Sequence, residues 1–417
     1  MTGHPARMSP AMRLAWMYVI LLLPVGALNY FDRQMMASMK FSMMESIPEI
    51  GNDANWGFIL GLFKWVYAFL SPIGGYIADR FSRRWTICGS LFVWSAVTWW
   101  TGHVGGYTEL LCARALMGVS EAFYIPAALA LIADYHRGPT RSRAVGLHQM
   151  AIYLGVIGGG FSGFVADNDQ LGWRFAFWAA GLFGVIYAFP LVWLLRDVPR
   201  DDTDLAGLAS RPSFWGSTSQ LLRNPAFLLL VACFTLPAMA GWIVRDWMPA
   251  ILKERFDVSQ GVAGVTATLS YQIPAMFGAV IGGFLADRWV QTNTRGRTFI
   301  SAIGMALFIP SIFGIGNAPS LVVAALFLTI FGFGWGFFDC NNMPILCQIA
   351  RPELRATGYG IMNLVSISFG GLADWGFGAL KDQNIPPNII FGLLSLAAGL
   401  SGVLMLLIRP KPELASR

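Results

Sequence analysis

The sequence contains twelve apolar runs, each long enough to cross a lipid bilayer as an α-helix. A membrane-spanning helix needs roughly 20 mostly apolar residues. The runs lie at about 14–39, 56–78, 85–104, 108–135, 142–166, 173–195, 225–252, 262–286, 298–316, 319–350, 356–380 and 388–408. Backbone groups in hydrocarbon must be hydrogen-bonded within their own segment, so such runs fold as helices. We therefore expect an all-α membrane protein, and we number the expected helices 1 to 12 in chain order.

A short phrase occurs twice, once in each half of the chain. Gly74–Arg80 reads GGYIADR, and Gly282–Arg288 reads GGFLADR. A second pair of similar segments keeps almost the same spacing, with RAVG at Arg143–Gly146 and RATG at Arg355–Gly358. Internal repeats at this distance are typical of membrane proteins built from two related halves. We expect two pseudo-symmetric bundles of six helices each.

One polar stretch separates the two sets of six runs and defines the expected domain organisation. We assign residues 1–195 to an N-terminal six-helix bundle and 225–417 to a C-terminal one. Residues 196–224 are then a cytoplasmic linker. The other loops are too short to hold a catalytic domain.

The composition and the placement of charge indicate how the chain lies in the membrane. The sequence is 55% hydrophobic and 12% charged, with a mean hydropathy of +0.56, whereas a soluble domain carries about 25% charged residues. Most of the 29 Lys and Arg residues lie in the termini and in the loops after even-numbered runs. By the positive-inside rule, both termini are cytoplasmic. We expect a multi-pass protein of the inner (plasma) membrane, and the net charge of +6 requires no nucleic-acid partner.

Nothing in the sequence favours an enzyme. The five cysteines lie in or beside apolar runs without metal-ligand spacing, and no pattern of nucleophile and base is visible. We expect no cofactor, no metal and no catalytic residues, and we expect a monomer.

Several ionisable residues lie inside the apolar runs, where each costs free energy and marks a substrate or ion path by default. They are Asp32, Arg33, Lys64, Arg114, Glu121, His148, Arg245, Asp246 and Asp339. Arginine makes forked hydrogen bonds to carboxylates, so Arg33 of one half and Arg245 of the other are candidates to clamp an anion. Lys64 is a further candidate for substrate binding.

The buried carboxylates are candidates for proton coupling. Glu121 follows Arg114 by seven residues, which places both on one face of helix 4. We expect Glu121 to alternate between a neutral state and a state paired with Arg114, and Asp32 to do the same beside Arg33. Other interpretations remain open: Arg114 pairs with Glu121 only to hold helix 4, Asp246 is only the partner of Arg245, and Lys64 extends outward to the membrane surface. His148 and Asp339 are either functional or structural.

The segment 75–84, GYIADRFSRR, resembles the GxxxDRxxRR loop between helices 2 and 3 of the major facilitator superfamily. The resemblance extends over essentially the whole chain and implies twelve transmembrane helices in two bundles that move by alternating access. It also implies a conformational latch at Asp79, Arg80 and Arg83. The pattern departs at Ser82, where a glycine is usual, and the second copy is interrupted by extra residues before Arg295.

Within that superfamily, the chain resembles the anion:cation symporters, which include galactonate and hexuronate transporters, sialin and the vesicular glutamate transporters. The resemblance rests on NYFDRQ at Asn29–Gln34 and on Arg114 with Glu121. It implies that Asp32 and Glu121 carry protons and that Arg114 tunes Glu121. The substrate contacts that it implies are Tyr30, Arg33, Tyr67, Arg245, Asn341, Asn342 and Asn363.

A second resemblance competes with the first. Spinster-type lipid transporters also carry Asp-Arg in helix 1 and a Glu in helix 4, within phrases like GVSEAFY at 118–124, and their substrates are lysolipids or sphingosine phosphate. Arg245 and the amide pair Asn341 and Asn342 favour a small hydroxylated anion. We therefore expect a secondary active transporter that imports an organic anion with protons, such as a hexuronate, an aldonate or sialic acid. A spinster-like carrier that exports lysolipids or drugs is the alternative.

Overall fold

The computed structural model describes residues 10–136, 140–198 and 214–410. Within these ranges every regular element is helical. Twelve long helices, labelled α1 to α12, correspond one to one with the twelve expected runs. They are Pro10–Ser38, Asp53–Arg80, Arg83–Thr101, Tyr107–Tyr135, Arg141–Ala166, Gly172–Leu194, Pro225–Phe256, Gln260–Val290, Gly296–Asn317, Leu321–Ile349, Pro352–Asp382 and Pro387–Leu407. The expected all-α architecture is confirmed.

Three of these helices are interrupted, and within the described ranges three short helices lie between them. α4, α5 and α10 pass through turns at 122–123, 161 and 340–341. The short elements are Lys40–Ser46, the 3₁₀ turn Pro48–Ile50 and Phe214–Leu222. The last of these lies in the stretch that the sequence predicts to be a linker.

Length and composition allow ten of the described helices to cross a membrane. The two long helices outside this set are α3, which has 19 residues, and α11, whose sequence carries several charged residues. Both pack among the other helices, α3 along α6 and α11 along α2 and α7. Asp374, within α11, has none of its surface exposed and so faces protein, which is where intramembrane charges are tolerated.

The most extensive contact between the first six helices and the last six is the one between α2 and α11. A Cβ atom on Gly61 would lie 2.8 Å from the carbonyl oxygen of Gly371, so the two backbones nearly touch. The indole Nε1 of Trp65, on α2, donates to the carbonyl of Ser368 at 3.0 Å. Small residues allow helices in membranes to approach this closely.

The two ends of the bundle differ in how the two sets of helices are joined. We call the end at which α1 begins and α12 ends the near end, and the opposite end the far end. At the far end, the Gln260 side-chain oxygen accepts from the backbone of Phe41 at 3.1 Å, and the Asp382 carboxylate accepts from that of Ala54 at 2.8 Å. Lys381 also lies 3.0 Å from the Asp53 carboxylate. These bonds close the far end.

A buried lysine completes the far-end contacts. Lys40, in the short helix after α1, is 2% exposed and forms an ion pair with Asp53. Its ammonium group also lies 4.0 Å from Glu254. Burial, with the ammonium group of Lys381 nearby, lowers the pKa of Lys40 from its ordinary value.

The conformational latch that the resemblance implies lies only partly within the described residues. Asp79 and Arg80 end α2, and their side chains are outside the described part of the structure. Arg83 forms an ion pair with Asp134 of α4, and its Nη1 donates to the carbonyl of Ala130 at 3.0 Å. Asp134 is a partner that the sequence analysis did not identify.

Substitution of Gly371 by Ala is expected to weaken the closed far end. The added methyl group would lie 2.6 Å from Trp65 Nε1, so α2 and α11 must separate or the indole must move, at a cost of about 1–3 kcal/mol. We expect faster cysteine labelling at the far end and a lower melting temperature. Gly376→Ala is the matched control on the same helix, because its Cβ would meet nothing within 4 Å. Equal behaviour of the two variants would contradict the role of this contact.

Candidate functional site

The centre of the bundle holds a buried ion pair surrounded by aromatic rings. Arg33, on α1, is 9% exposed, and its Nε and Nη2 lie 2.7 and 2.6 Å from one oxygen of Glu121 on α4. The guanidinium carbon lies 4.6 Å from the ring centre of Tyr30 and 4.7 Å from those of Phe63 and Tyr67. The structure thus brings together three of the predicted substrate contacts with one predicted proton carrier.

The partner of Glu121 differs from the sequence-based expectation. Glu121 is fully buried and contacts Arg33, whereas Nη1 of Arg114 contacts the Met117 sulfur at 3.1 Å. The Arg114 guanidinium lies 4.6 Å from the ring centre of Phe63. Seven residues of helix correspond to about 10 Å of rise, which is too far for a direct bond unless both side chains point at each other. The expectation of an Arg114–Glu121 pair is therefore wrong for this state.

Asp32 is buried but does not pair with its neighbour Arg33. Its Oδ2 accepts a 3.0 Å hydrogen bond from the Thr98 hydroxyl of α3, and its Oδ1 has no hydrogen-bond partner among the described residues. Successive residues on a helix point about 100° apart, so Asp32 faces α3 while Arg33 faces α2 and α4. The two proton candidates, Asp32 and Glu121, thus lie on either side of α1.

Lys64 forms a second buried cluster with carboxylates from the other half of the chain. Its ammonium group pairs with Asp246 of α7 and with Asp374 of α11. It also lies 4.3 Å from the ring centre of Trp242. Lys64 is 3% exposed, so it does not extend to the membrane surface. The pairing of Asp246 with its neighbour Arg245 is also wrong, since the two point in different directions from α7.

Asp374 is the functional candidate that the sequence analysis missed. Asp374 is completely buried, with 0% of its surface exposed. The signal was present, because Asp374 lies inside the apolar run 356–380. A charged residue at that position meets the same criterion as the residues that were singled out.

Arg245 is the arginine of the second half that faces the site. Its guanidinium carbon lies 4.8 Å from the Tyr30 ring centre and 5.4 Å from that of Trp242. Its Nη2 is buried and, among the described residues, has no hydrogen-bond partner. The backbone carbonyl accepts from the Gln34 side chain at 3.3 Å. Arg245 therefore keeps donor capacity for an anion.

A narrow cleft joins these cationic side chains. Its lining is Arg33, Leu60, Phe63, Lys64, Arg114, Trp242, Arg245 and Asp246. Within the described structure, neither Arg114 nor Arg245 forms an ion pair, whereas Arg33 and Lys64 do. An anionic group that entered between Arg114 and Arg245 would find two guanidinium groups able to donate forked hydrogen bonds.

The two amide side chains of α10 that the sequence predicts to contact substrate are hydrogen-bonded within their own helix. Asn341 and Asn342 are each 2% exposed at the turn that interrupts α10. The Asn341 amide donates to the carbonyl of Phe337 at 2.9 Å, and the Asn342 amide donates to Asp339 at 3.4 Å. These side chains stabilise the interruption of the helix. Asp339 itself is exposed.

Two remaining candidates, Asn363 and His148, are not among the residues that line the cleft. Asn363 is half-buried on α11, one turn after the exposed Tyr359. His148 is buried, and its Nε2 lies 2.8 Å from the Tyr124 hydroxyl. This contact gives His148 an interior hydrogen-bond partner, as the structural interpretation of that residue requires.

Comparisons with known proteins agree with the fold. The sequence profile of the family described as Major Facilitator Superfamily matches residues 22–373. Protein spinster homolog 1 of Xenopus tropicalis is 26% identical over 394 residues, covering 88% of this chain and 72% of that protein. An MFS-type efflux pump of Mycolicibacterium smegmatis is 28% identical over 391 residues, covering 92% of this chain and 87% of the pump.

A solved structure shows the same arrangement of helices. It is that of a bacterial homolog to the human lysosomal transporter Spinster, in an inward-facing and occupied conformation. The two chains superpose with a TM-score of 0.75 at 20% identity, covering 96% of this chain and 95% of the other. A likeness at this identity establishes the fold.

Proposed function

The chain belongs to the major facilitator superfamily of transporters, and we propose that it couples the movement of protons to the transport of an organic anion. The observation that carries the proposal is the buried Arg33–Glu121 pair, beside Arg114 and Arg245, which form no ion pair with any described residue. Such a site binds an anion at its arginines and a proton at its carboxylate. The roles of Tyr30, Tyr67, Asp32 and the other site residues are part of the same proposal.

Charge balance favours transport of the anion and the proton together. Arg33 and Glu121 neutralise each other in a site from which water is largely excluded. An anion that binds Arg33 leaves the buried Glu121 carboxylate without its cation, which is costly. A proton on Glu121 removes that cost, so anion and proton stabilise each other's binding. The favoured mode is symport.

The surroundings of the arginines favour an anion with an apolar body. Rings of Tyr30, Phe63, Tyr67 and Trp242 surround the guanidinium and ammonium groups. The Asn341 amide, which the sequence analysis assigned to sugar hydroxyls, is bonded to the backbone. We therefore place a spinster-like amphipathic anion such as a lysolipid first. A carboxylated sugar, such as a hexuronate, an aldonate or sialic acid, is the second candidate because Arg245 retains free donors.

We further propose how the molecule is placed and how it moves. The basic residues at the near end put that end and both termini in the cytoplasm, in the inner (plasma) membrane. The bundles 1–195 and 225–417 rock about the central site as a monomer, joined by the linker 196–224. Asp79, Arg80 and Arg83 act as the latch at the near end.

Uptake into proteoliposomes under an imposed proton gradient tests the proposal. A thermal-shift screen of the purified protein against hexuronates, aldonates, sialic acid and lysolipids first identifies the substrate. Uptake of that substrate is expected to accelerate when the solution outside the vesicles, which the far end faces, is more acidic than the interior. Uptake that ignores the gradient would contradict proton coupling, and stabilisation by uncharged compounds alone would contradict the anionic substrate.

A further inference from the structure

The Lys64 cluster contains two carboxylates and one cation, all buried. Asp246 is 8% exposed, Lys64 is 3% exposed and Asp374 is 0% exposed. Both carboxylates contact the same ammonium group, and Oδ1 of Asp374 has no hydrogen-bond partner among the described residues. The cluster therefore carries one excess negative charge in a site with little water. The unpartnered Oδ1 of Asp374, beside a second carboxylate, is a position where a proton can bind.

We propose that Asp246 and Asp374 form a second proton-binding site, in which the Lys64 ammonium group and a proton replace each other during the transport cycle. The inference rests on the proposed proton-coupled function and adds a site to it. The substrate clamp and Glu121 form the first site, on α1, α4 and α7. The second site lies across the contact between the two halves.

Lys64 and the two carboxylates lie on opposite halves of the molecule, so relative motion of the halves can replace Lys64 by a proton. Lys64 lies on α2 in the first half, whereas the carboxylates lie on α7 and α11 in the second. The closest backbone contacts of α2 and α11 pair Gly57 with Asp374 and Asp53 with Gly378, on the far-end side of Gly61 and Gly371, so the cluster lies at the part of this contact that faces the closed far end. Opening of the far end separates α2 from α11 and withdraws Lys64 from the carboxylates.

The proton has a source when the far end opens and an exit when the far end closes. Two neighbouring carboxylates without a cation cannot both stay ionised in a buried site, so one of their oxygens binds a proton from water at the far side. When the far end closes, Lys64 returns, the O–H bond breaks, and the proton leaves through the cleft that Lys64 and Asp246 line. Lys64 keeps its own protons throughout. One positive charge faces the two carboxylates in each state, so the net charge of the pair with its cation or proton is the same before and after the exchange.

Few other charges face this pair. Arg245 lies next to Asp246 on α7, and Arg33 and Arg114 share the cleft with it; all three are arginines, which stay charged. Glu121 is bound to Arg33. The other elements that pack against α11, Phe214–Leu222 and Asn342–Ile349, carry no Asp, Glu, Lys, Arg or His. Lys64 and the two carboxylates therefore determine when the pair binds a proton.

Hydrogen–deuterium exchange at the far end, without substrate, tests the proposal. The background variant Asp32→Asn/Glu121→Gln removes the first set of proton carriers. In that background we expect exchange of the far-end segments of α2 and α11, corrected for the intrinsic rate, to rise as pH falls. One bound proton changes the opening equilibrium by at most about tenfold per pH unit.

The neutral triple variant Lys64→Met/Asp246→Asn/Asp374→Asn provides the decisive comparison. It removes all three charges of the cluster together, so none of them is left without its partner, and we expect the variant to fold. Its far-end exchange is expected to be independent of pH. Lys40→Met is the control, because it breaks a far-end ion pair outside the cluster and should raise exchange while the pH dependence remains.

The outcomes separate this proposal from the proposed function. A triple variant that keeps the full pH dependence of its background would overturn the second site, even if uptake is proton-driven. Far-end exchange that does not depend on pH in the Asp32→Asn/Glu121→Gln background would overturn the second site as well. Loss of pH dependence only in the triple variant would support the second site, even if the substrate is not an anion.

Discussion

Substitution of Glu121 by Gln is expected to abolish proton-driven accumulation of substrate while exchange of substrate across the membrane continues. Gln has nearly the same shape as protonated Glu but binds no proton, so Arg33 is permanently available to the anion. A gradient of one pH unit stores about 1.4 kcal/mol. The wild-type protein is therefore expected to accumulate a monovalent anion about tenfold when one proton accompanies it, and the variant is expected to reach only equal concentrations.

The matched control for this prediction lies on the same helix. Glu109, at the far end of α4, is exposed and accepts a hydrogen bond from the Gly105 backbone at 2.7 Å. Glu109→Gln removes a carboxylate of α4 outside the site and should leave accumulation unchanged. Radiolabelled uptake into proteoliposomes measures both variants. If Glu121→Gln still concentrates substrate against its gradient, the proton is carried elsewhere.

Substitution of Arg245 by Ala is expected to weaken substrate binding about 10- to 100-fold, since a hydrogen bond to a charged group contributes about 1.5–3 kcal/mol. Arg245→Lys keeps the charge but loses the planar fork, so its effect should be intermediate. Lys253→Ala is the control, because Lys253 lies further along α7 toward the far end, 5.2 Å from the Phe41 ring centre. Isothermal titration with the purified protein gives the dissociation constants.

An uncharged analogue of the substrate sharpens this second test. An ester that lacks the anionic group is expected to bind the wild type and Arg245→Ala with the same affinity. An acid whose affinity is unchanged by Arg245→Ala would show that its anionic group binds elsewhere in the cleft. Equal weakening of the acid and its ester would show that the substitution distorts the site.

The helices were predictable from the sequence because each bilayer span needs a long apolar run. All twelve expected runs correspond to helices in the described structure. The interruptions of α4, α5 and α10 were not predictable from hydropathy, since a one- or two-residue turn leaves the run apolar. The helix Phe214–Leu222 was missed because the surrounding stretch is polar.

The membership of the site was partly predictable, but its pairings were not. Intramembrane charge singled out Arg33, Glu121 and Lys64, and the structure places all three in buried ion pairs. Sequence proximity then suggested the wrong partners, because neighbours on a helix point about 100° apart. The true partners come from other helices, as in the Lys64–Asp374 pair, 310 residues apart. Such contacts depend on how the helices pack, which one sequence does not specify.

The central claim is that the anion and the proton move together through this site. Proteoliposomes with a pH-sensitive dye inside, and with no imposed gradient, test it directly when substrate is added outside. The interior of wild-type vesicles is expected to acidify as substrate enters, whereas the interior of Glu121→Gln vesicles is not. Entry of substrate into wild-type vesicles without acidification would contradict the claim.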